Sequence, residues 1–317
     1  MSDRHMALAG GDTPFTVAVR PPFDLRLTAG ALRRLPSSAL YPLEGDELRL
    51  VASLSSGPRL LGIRPSSSGA DVAMLSCATL GGATSAAEVT EAQRLIAGML
   101  DVQRDLAPLR ALVAEDVTLS ELAHRLAGMK PPRFLSLWDA FCQIVPFQLV
   151  SLSAAVATLN RFVTALGPRV DYDGSAYWGV PAPAQVLAAD LSDLRACGLS
   201  LAKAQTLRGL AERAIAGELE ADDYDGLSDA EAVARLTRLP GIGPWSAQVA
   251  LLRGMGRLSV FPAGDSGARR ALRELLPASE QLDSDVGALL DRLGEWRGYL
   301  YFMLLGRRLL AAGEVAR

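Results

Sequence analysis

The chain has few of the residues from which most metal and nucleophile chemistry is built. Among 317 residues there are two histidines, His5 and His124, and three cysteines, Cys77, Cys142 and Cys197. None of the five has a neighbour at metal-ligand spacing, which argues against a zinc site or an iron–sulfur cluster. A lone histidine is more often solvated or structural than catalytic. An odd number of distant thiols suits a reducing, cytoplasmic setting rather than a disulfide framework. No run of 18 apolar residues offers a membrane span. The opening MSDRHMALAG contains no apolar segment of signal-peptide type. Excess positive charge is missing too: 32 Lys and Arg against 35 Asp and Glu leave a net charge of −3. That disfavours a protein coating nucleic acid with lysines. It leaves room for one that grips a few phosphates through backbone amides.

Half of the chain is hydrophobic, enough to bury a sizeable core. Within residues 15–76, FTVAV, DLRLT, ELRLVASL, RLLGIRP and DVAMLSC partly alternate and are separated by turn clusters such as PSSSG. They predict a small antiparallel sheet, followed by a helix from about Ala86 to Arg104. From Leu106 the apolar period lengthens to that of a helix. It does so in LAPLRALVAED, TLSELAHRLAG, FLSLWDAFCQIV and SLSAAVATLNRFVTALG. PAQVLAADLSDLRACG and SLAKAQTLRGLAERAIAG continue the pattern, the latter capped by Ser200. Ser228 and Glu231 form a capping box ahead of the next helix. WRGYLYFMLLGRRLLAA predicts a last helix. The fold class is therefore mainly α with an N-terminal α/β domain built on an antiparallel sheet.

One stretch stands apart. LPGIGPWSA, Leu239 to Ala247, joins two helices through Gly241 and Gly243, and Pro244 suits the first helical turn. The glycines permit positive φ and close approach of another backbone, and Ile242 should pack inward. Bare N–H groups of the turn and of Trp245 and Ser246 then face outward, where the helix dipole favours an anion such as a phosphate. An unliganded helix–turn–helix corner is the alternative.

LxxLPGIGxWxA, followed about twenty residues later by FPxxD, resembles the helix-hairpin-helix, Gly/Pro and aspartate signature of the base-excision DNA glycosylases. Within them it is similar to the 3-methyladenine DNA glycosylase II branch. WDAFCQIVPFQLVSLSAAVATLNRF, the segment 178–211, EWRGYLYFML and FDLRLT carry the likeness across roughly residues 20 to 310. The resemblance implies a helix-hairpin-helix glycosylase fold with the active-site cleft between two helical domains. Residues 1–108 would form the N-terminal α+β domain and 137–257 a helical domain ending in the hairpin. Residues 109–136 and 258–317 would form a second helical domain carrying the aspartate loop.

It also implies residue roles. A glycosylase must flip its target base out of the stack, and Leu149 stands where the family places the apolar wedge, its alternative being an ordinary core leucine. Asp265 stands where a carboxylate stabilises the positive sugar of the transition state and orients water. It could also cap the helix SGARRALREL. Strand-cutting members carry a Schiff-base lysine after the hairpin proline. Here the residue is Trp245, which can stack on a base or pack across the hairpin, so a monofunctional enzyme is expected. The base pocket would include Trp245, Val249, Ser266, Trp296 and Leu305, three of them replacing expected aromatics, which predicts a wider pocket. A Na+ or K+ on the carbonyls of Thr237, Leu239 and Ile242 is the one cofactor implied. Double-stranded DNA with damaged bases is the expected partner of a monomer in the cytoplasm, at the nucleoid. Rival readings are a glycosylase for oxidised or deaminated bases and a non-catalytic lesion binder.

Overall fold

A computed structural model describes residues 11–67, 72–276 and 282–314; His5 lies outside them. The chain begins with β1 (Thr13–Ala18), α1 (Leu25–Arg33), β2 (Leu43–Glu44), β3 (Glu47–Leu54), β4 (Gly57–Pro65) and β5 (Met74–Leu80). Helices α2 (Ala86–Met99), α3 (Ala107–Val113), α4 (Val117–Arg125), α5 (Leu137–Ile144) and α6 (Leu152–Leu166) follow. A hairpin of β6 (Arg169–Tyr172) and β7 (Ser175–Trp178) precedes α7 (Pro183–Ala188), α8 (Leu191–Ala196) and α9 (Leu201–Ile215). The remainder is α10 (Asp229–Leu236), α11 (Pro244–Arg253), α12 (Ser266–Leu275), α13 (Leu282–Leu293) and α14 (Arg297–Ala311).

The sheet is antiparallel throughout in the order β1-β5-β4-β3-β2. One of its expected strands is instead a helix. DLRLT alternates like a strand, yet Asp24 Oδ1 accepts from Leu27 N at 2.9 Å and starts α1. Leu25, Leu27, Ala29, Ala31 and Leu32 are all buried, because α1 packs between the sheet-side core and α14, and Arg26 is left exposed. The helix expected to reach Arg104 ends as α2 at Met99, where Asp101 turns the backbone to φ +45°.

Among the described residues two large apolar cores hold the molecule, beside a small cluster of Val51, Leu60, Ala78, Leu80 and Tyr177 between the sheet and the β6–β7 hairpin. The first joins the sheet to α2, α5, α6, α9, α10 and α11 around Phe23, Phe141, Phe162 and Leu207. The second gathers α3, α4, α12, α13 and α14 with Leu27 and Ala31 of α1. Sheet and middle helices thus share one interior, and α1 links it to the second. The seam carries Arg253, fully buried between the Phe134 and Phe302 rings, 4.6 and 5.9 Å from their centroids. Its Nη2 donates to the carbonyls of Ala31 and Leu32 at 2.8 and 3.1 Å, and burial pulls its pKa down to about 9. Among the described residues no helix is long and apolar enough to cross a membrane.

Candidate active site

The hairpin is the hinge of the site. α10 ends at Leu236, the turn follows, and α11 begins with Gly243 as N-cap and Pro244 at its first position. Ile242 is buried beneath the turn, and its N–H closes the turn on the Leu239 carbonyl at 3.1 Å. The two glycines do different work. Gly241 sits at φ +79°, and a Cβ there would lie 1.9 Å from Thr206 Oγ1 of α9. Its close neighbour is the protein's own helix. Gly243 has φ −90° and open space around a Cβ position, so it is the glycine facing outward. No side chain caps α11, and the first N–H groups of a helix have no intrahelical partner.

From Val145 to Phe147 the chain makes a short 3-10 turn after α5, then crosses to α6. Gln148, in that crossing, donates from Nε2 to the Gly241 carbonyl at 2.9 Å and to Ser246 Oγ at 3.0 Å. These bonds fasten the crossing to the hairpin. They also occupy the hydroxyl of Ser246, which is buried. The next residue, Leu149, is fully exposed and takes φ +55°. A large apolar side chain is therefore held in solvent by a loop tied on one side. Lys203 Nζ donates to the Pro146 carbonyl at 3.1 Å, and burial lowers its pKa.

Asp265 caps α12, its Oδ1 accepting from Ala268 N at 2.8 Å. Its Oδ2 accepts from Trp245 Nε1 at 3.0 Å. The capping reading is thus realised by one oxygen, and the other oxygen is held by the indole of Trp245. Trp245 is half-buried and joins the start of α11 to the start of α12. The other pocket residues inferred from resemblance are not all gathered there. Val249 is completely buried in the first core and presents no face to the cleft. Ser266 is exposed at the first turn of α12, whereas Trp296 and Leu305 are partly buried against the second core. Trp296 meets Tyr299 edge-on at 6.2 Å.

Two residues, Gln148 and Arg34, escaped the sequence reading, and a third, Tyr301, was weighed there as an aromatic that could compensate in the pocket or as core. Gln148 lay inside a quoted motif, but its partners are 93 and 98 residues away. Tyr301 reads as helix core, and it is buried, yet it lies within electrostatic reach of Asp265. Arg34, at the end of α1, stacks its guanidinium on Phe147 at 4.5 Å from the ring centroid. No sequence signal marks it, since α1 itself was read as a strand.

A helix-hairpin-helix with an uncapped second helix, an exposed apolar loop tip and an anchored carboxylate define the class of the site. The comparisons narrow this class. The family model described as "HhH-GPD superfamily base excision DNA repair protein" matches residues 145–295. The DNA-3-methyladenine glycosylase of Bacillus subtilis is 25% identical over 205 residues, covering 64% of this chain and 68% of its own. DNA-3-methyladenine glycosylase 2 of Escherichia coli is 28% identical over 181 residues, 57% of this chain and 61% of its own. Among solved structures, the 3-methyladenine DNA-glycosylase from Archaeoglobus fulgidus superposes with a TM-score of 0.79 at 23% identity. That match covers 94% of this chain and 99% of the other.

Proposed function

We propose that this protein is a monofunctional DNA glycosylase that flips alkylated bases out of duplex DNA and hydrolyses the N-glycosidic bond, leaving an abasic site. One observation carries the reading. The Asp265 carboxylate is fixed by two donors, Trp245 Nε1 and Ala268 N, at the start of the helix that follows the hairpin. A preplaced anion is what a developing sugar cation needs, because it stabilises charge without reorganising as the bond breaks. The same carboxylate can orient the attacking water. An alkylated purine carries positive charge and leaves readily, so no strong acid is required of the protein.

The rest of the cleft supports the steps before cleavage. The outward hairpin amides offer a phosphate seat, and Leu149 offers the apolar tip that fills the gap left by a flipped base. Trp245 supplies an aromatic face but no amine. Lys203, the lysine nearest the hairpin in sequence, is engaged with Pro146. A Na+ or K+ on the carbonyls of Thr237, Leu239 and Ile242 belongs to the same proposal. Carbonyl oxygens are suitable donors, and Leu239 keeps a second lone pair beside its bond from Ile242. Bound there, the ion would add positive charge to the phosphate seat. The protein would act as a monomer.

The test is incubation with duplexes each bearing one modified base, with and without hot alkali. The expected product is an intact strand that breaks only after alkali, with no protein–DNA adduct under borohydride. Cleavage without alkali, or a trapped adduct, would replace hydrolysis by lyase chemistry. No abasic product from any alkylated base would leave a lesion binder as the better reading.

A further inference from the structure

The loop tip between α5 and α6 is short and held at both ends. Before it, the Val145–Phe147 turn closes with Gln148 N donating to the Val145 carbonyl at 3.3 Å. After it, Ser151 caps α6, its Oγ accepting from Ala154 N at 3.3 Å. Between them lie Leu149 and Val150, and both are exposed. The turn is itself fixed from two sides. Lys203 of α9 donates to the Pro146 carbonyl, and the Arg34 guanidinium covers the Phe147 ring.

Gln148 joins this tip to the hairpin. Its side-chain nitrogen donates to the Gly241 carbonyl at 2.9 Å and to Ser246 Oγ at 3.0 Å. A carbonyl cannot donate, so the amide nitrogen must face it, and both amide hydrogens are used. One acceptor belongs to the turn and the other to the third residue of α11. Trp245, the residue before Ser246, donates to Asp265. α9 backs both parts as well, for Thr206, one turn on from Lys203, lies against Gly241. The leucine tip, the hairpin and the carboxylate are thus fastened in one frame. A mobile loop would have to be ordered as it enters the stack, which costs conformational entropy. A tip already fixed to the hairpin avoids that cost.

We infer that Gln148 is a positioning residue that ties base flipping to the grip on the strand: it holds Leu149 at a fixed offset from the hairpin, so that seating the hairpin on a phosphate brings the leucine to the stack. This rests on the glycosylase reading and adds how its parts act together. Gln148 touches no reacting atom and acts through Leu149.

The test is a double-mutant cycle. Wild type, Gln148→Met, Gln148→Leu, Leu149→Gly and the Gln148→Met/Leu149→Gly pair are compared in single-turnover excision from a duplex bearing 7-methylguanine. Titrations of an undamaged duplex run alongside. Met and Leu keep bulk without a donor, and thermal melts check that each variant is folded. Both Gln148 variants are expected to slow excision about as far as Leu149→Gly does, roughly 10-fold, while Gln148→Met binds undamaged duplex within about 3-fold of wild type. The pair should be no more than about 2-fold slower than Leu149→Gly alone, because a residue that acts through another adds nothing once that other is gone. Multiplied losses in the pair, roughly 100-fold, would show that Gln148 acts apart from Leu149. Unchanged excision by both Gln148 variants would remove it from flipping, and a matching loss of undamaged-duplex binding would reduce it to a support of the hairpin. Failure of the parent reading looks different: wild type itself then releases no alkylated base, and this inference falls with it.

Discussion

Leu149 joins two properties that folded chains ordinarily avoid, a fully exposed large apolar side chain and a non-glycine residue at φ +55°. A left-handed backbone costs a leucine roughly 1–2 kcal/mol, which nothing in the free protein repays. Leu149→Gly should therefore raise the melting temperature slightly, while excision from duplex DNA falls at least roughly 10-fold, if about 1.4 kcal/mol of wedge stabilisation is lost. Melts and single-turnover rates on one preparation check both halves; a variant that melts lower would mean that Leu149 packs in the folded state. At this scale the sequence was informative wherever chemistry demands one residue at one spacing. Asp265 after FPAG and Trp245 after Gly-Pro are of that kind. Arg34 and Gln148 are not, because their partners lie on elements far away in sequence. Val249 was carried into the pocket from the family resemblance, which names a position on the helix after the hairpin; its burial depends on α10 and α5, which pack against α11.

Among the elements, the hairpin gives the clearest division between fold and function. Gly241→Ala must adopt φ +79° and place Cβ 1.9 Å from Thr206 Oγ1, a strained backbone and a side-chain clash that together cost about 2 kcal/mol or more. Gly243→Ala meets neither difficulty. It should fold with little loss and yet weaken binding to damaged and undamaged duplex alike, since its methyl group stands where the phosphate comes. Melting curves and duplex titrations of the two variants test the division; normal binding by folded Gly243→Ala would show that the hairpin is not the anchor. Most helices were legible, through their period and caps such as Ser200 and Ser228. The exceptions have physical causes. α1 was mistaken for a strand because its first residues, DLRLT, alternate polar and apolar. The β6–β7 hairpin, turning at Asp173 and Gly174 with φ +48° and +72°, went unread because its strands are only four residues long.

For the molecule as a whole, charge sets the expectations. With a net charge of −3 and a grip made largely of backbone amides, DNA binding should release few counterions. The slope of log K against log salt should correspond to two to four phosphates at about −0.9 each, and a slope implying ten contacts would require a basic surface that the composition does not supply. Stability should also depend on pH through Asp139 on α5, whose pKa burial pushes up to about 7. An unfolded aspartate titrates near 3.9, so the folded state binds the extra proton. The resulting stabilisation is complete below about pH 4 and lost as pH rises through 7. Asp139→Asn should flatten the fall in melting temperature between pH 5 and 8; an identical pH profile would remove Asp139 as its source.

The central claim, that Asp265 acts on the sugar rather than only capping α12, is tested most directly by the excision rate of Asp265→Asn. Asparagine caps a helix about as well as aspartate, but it cannot both cap Ala268 N and accept from Trp245 through its amide nitrogen. One hydrogen bond is lost, worth about 1 kcal/mol, so the variant should fold and still bind damaged duplex. Single-turnover excision should drop by roughly 10²–10³ or more, equivalent to about 3–4 kcal/mol of transition-state stabilisation. Excision near the wild-type rate by folded Asp265→Asn would contradict the account.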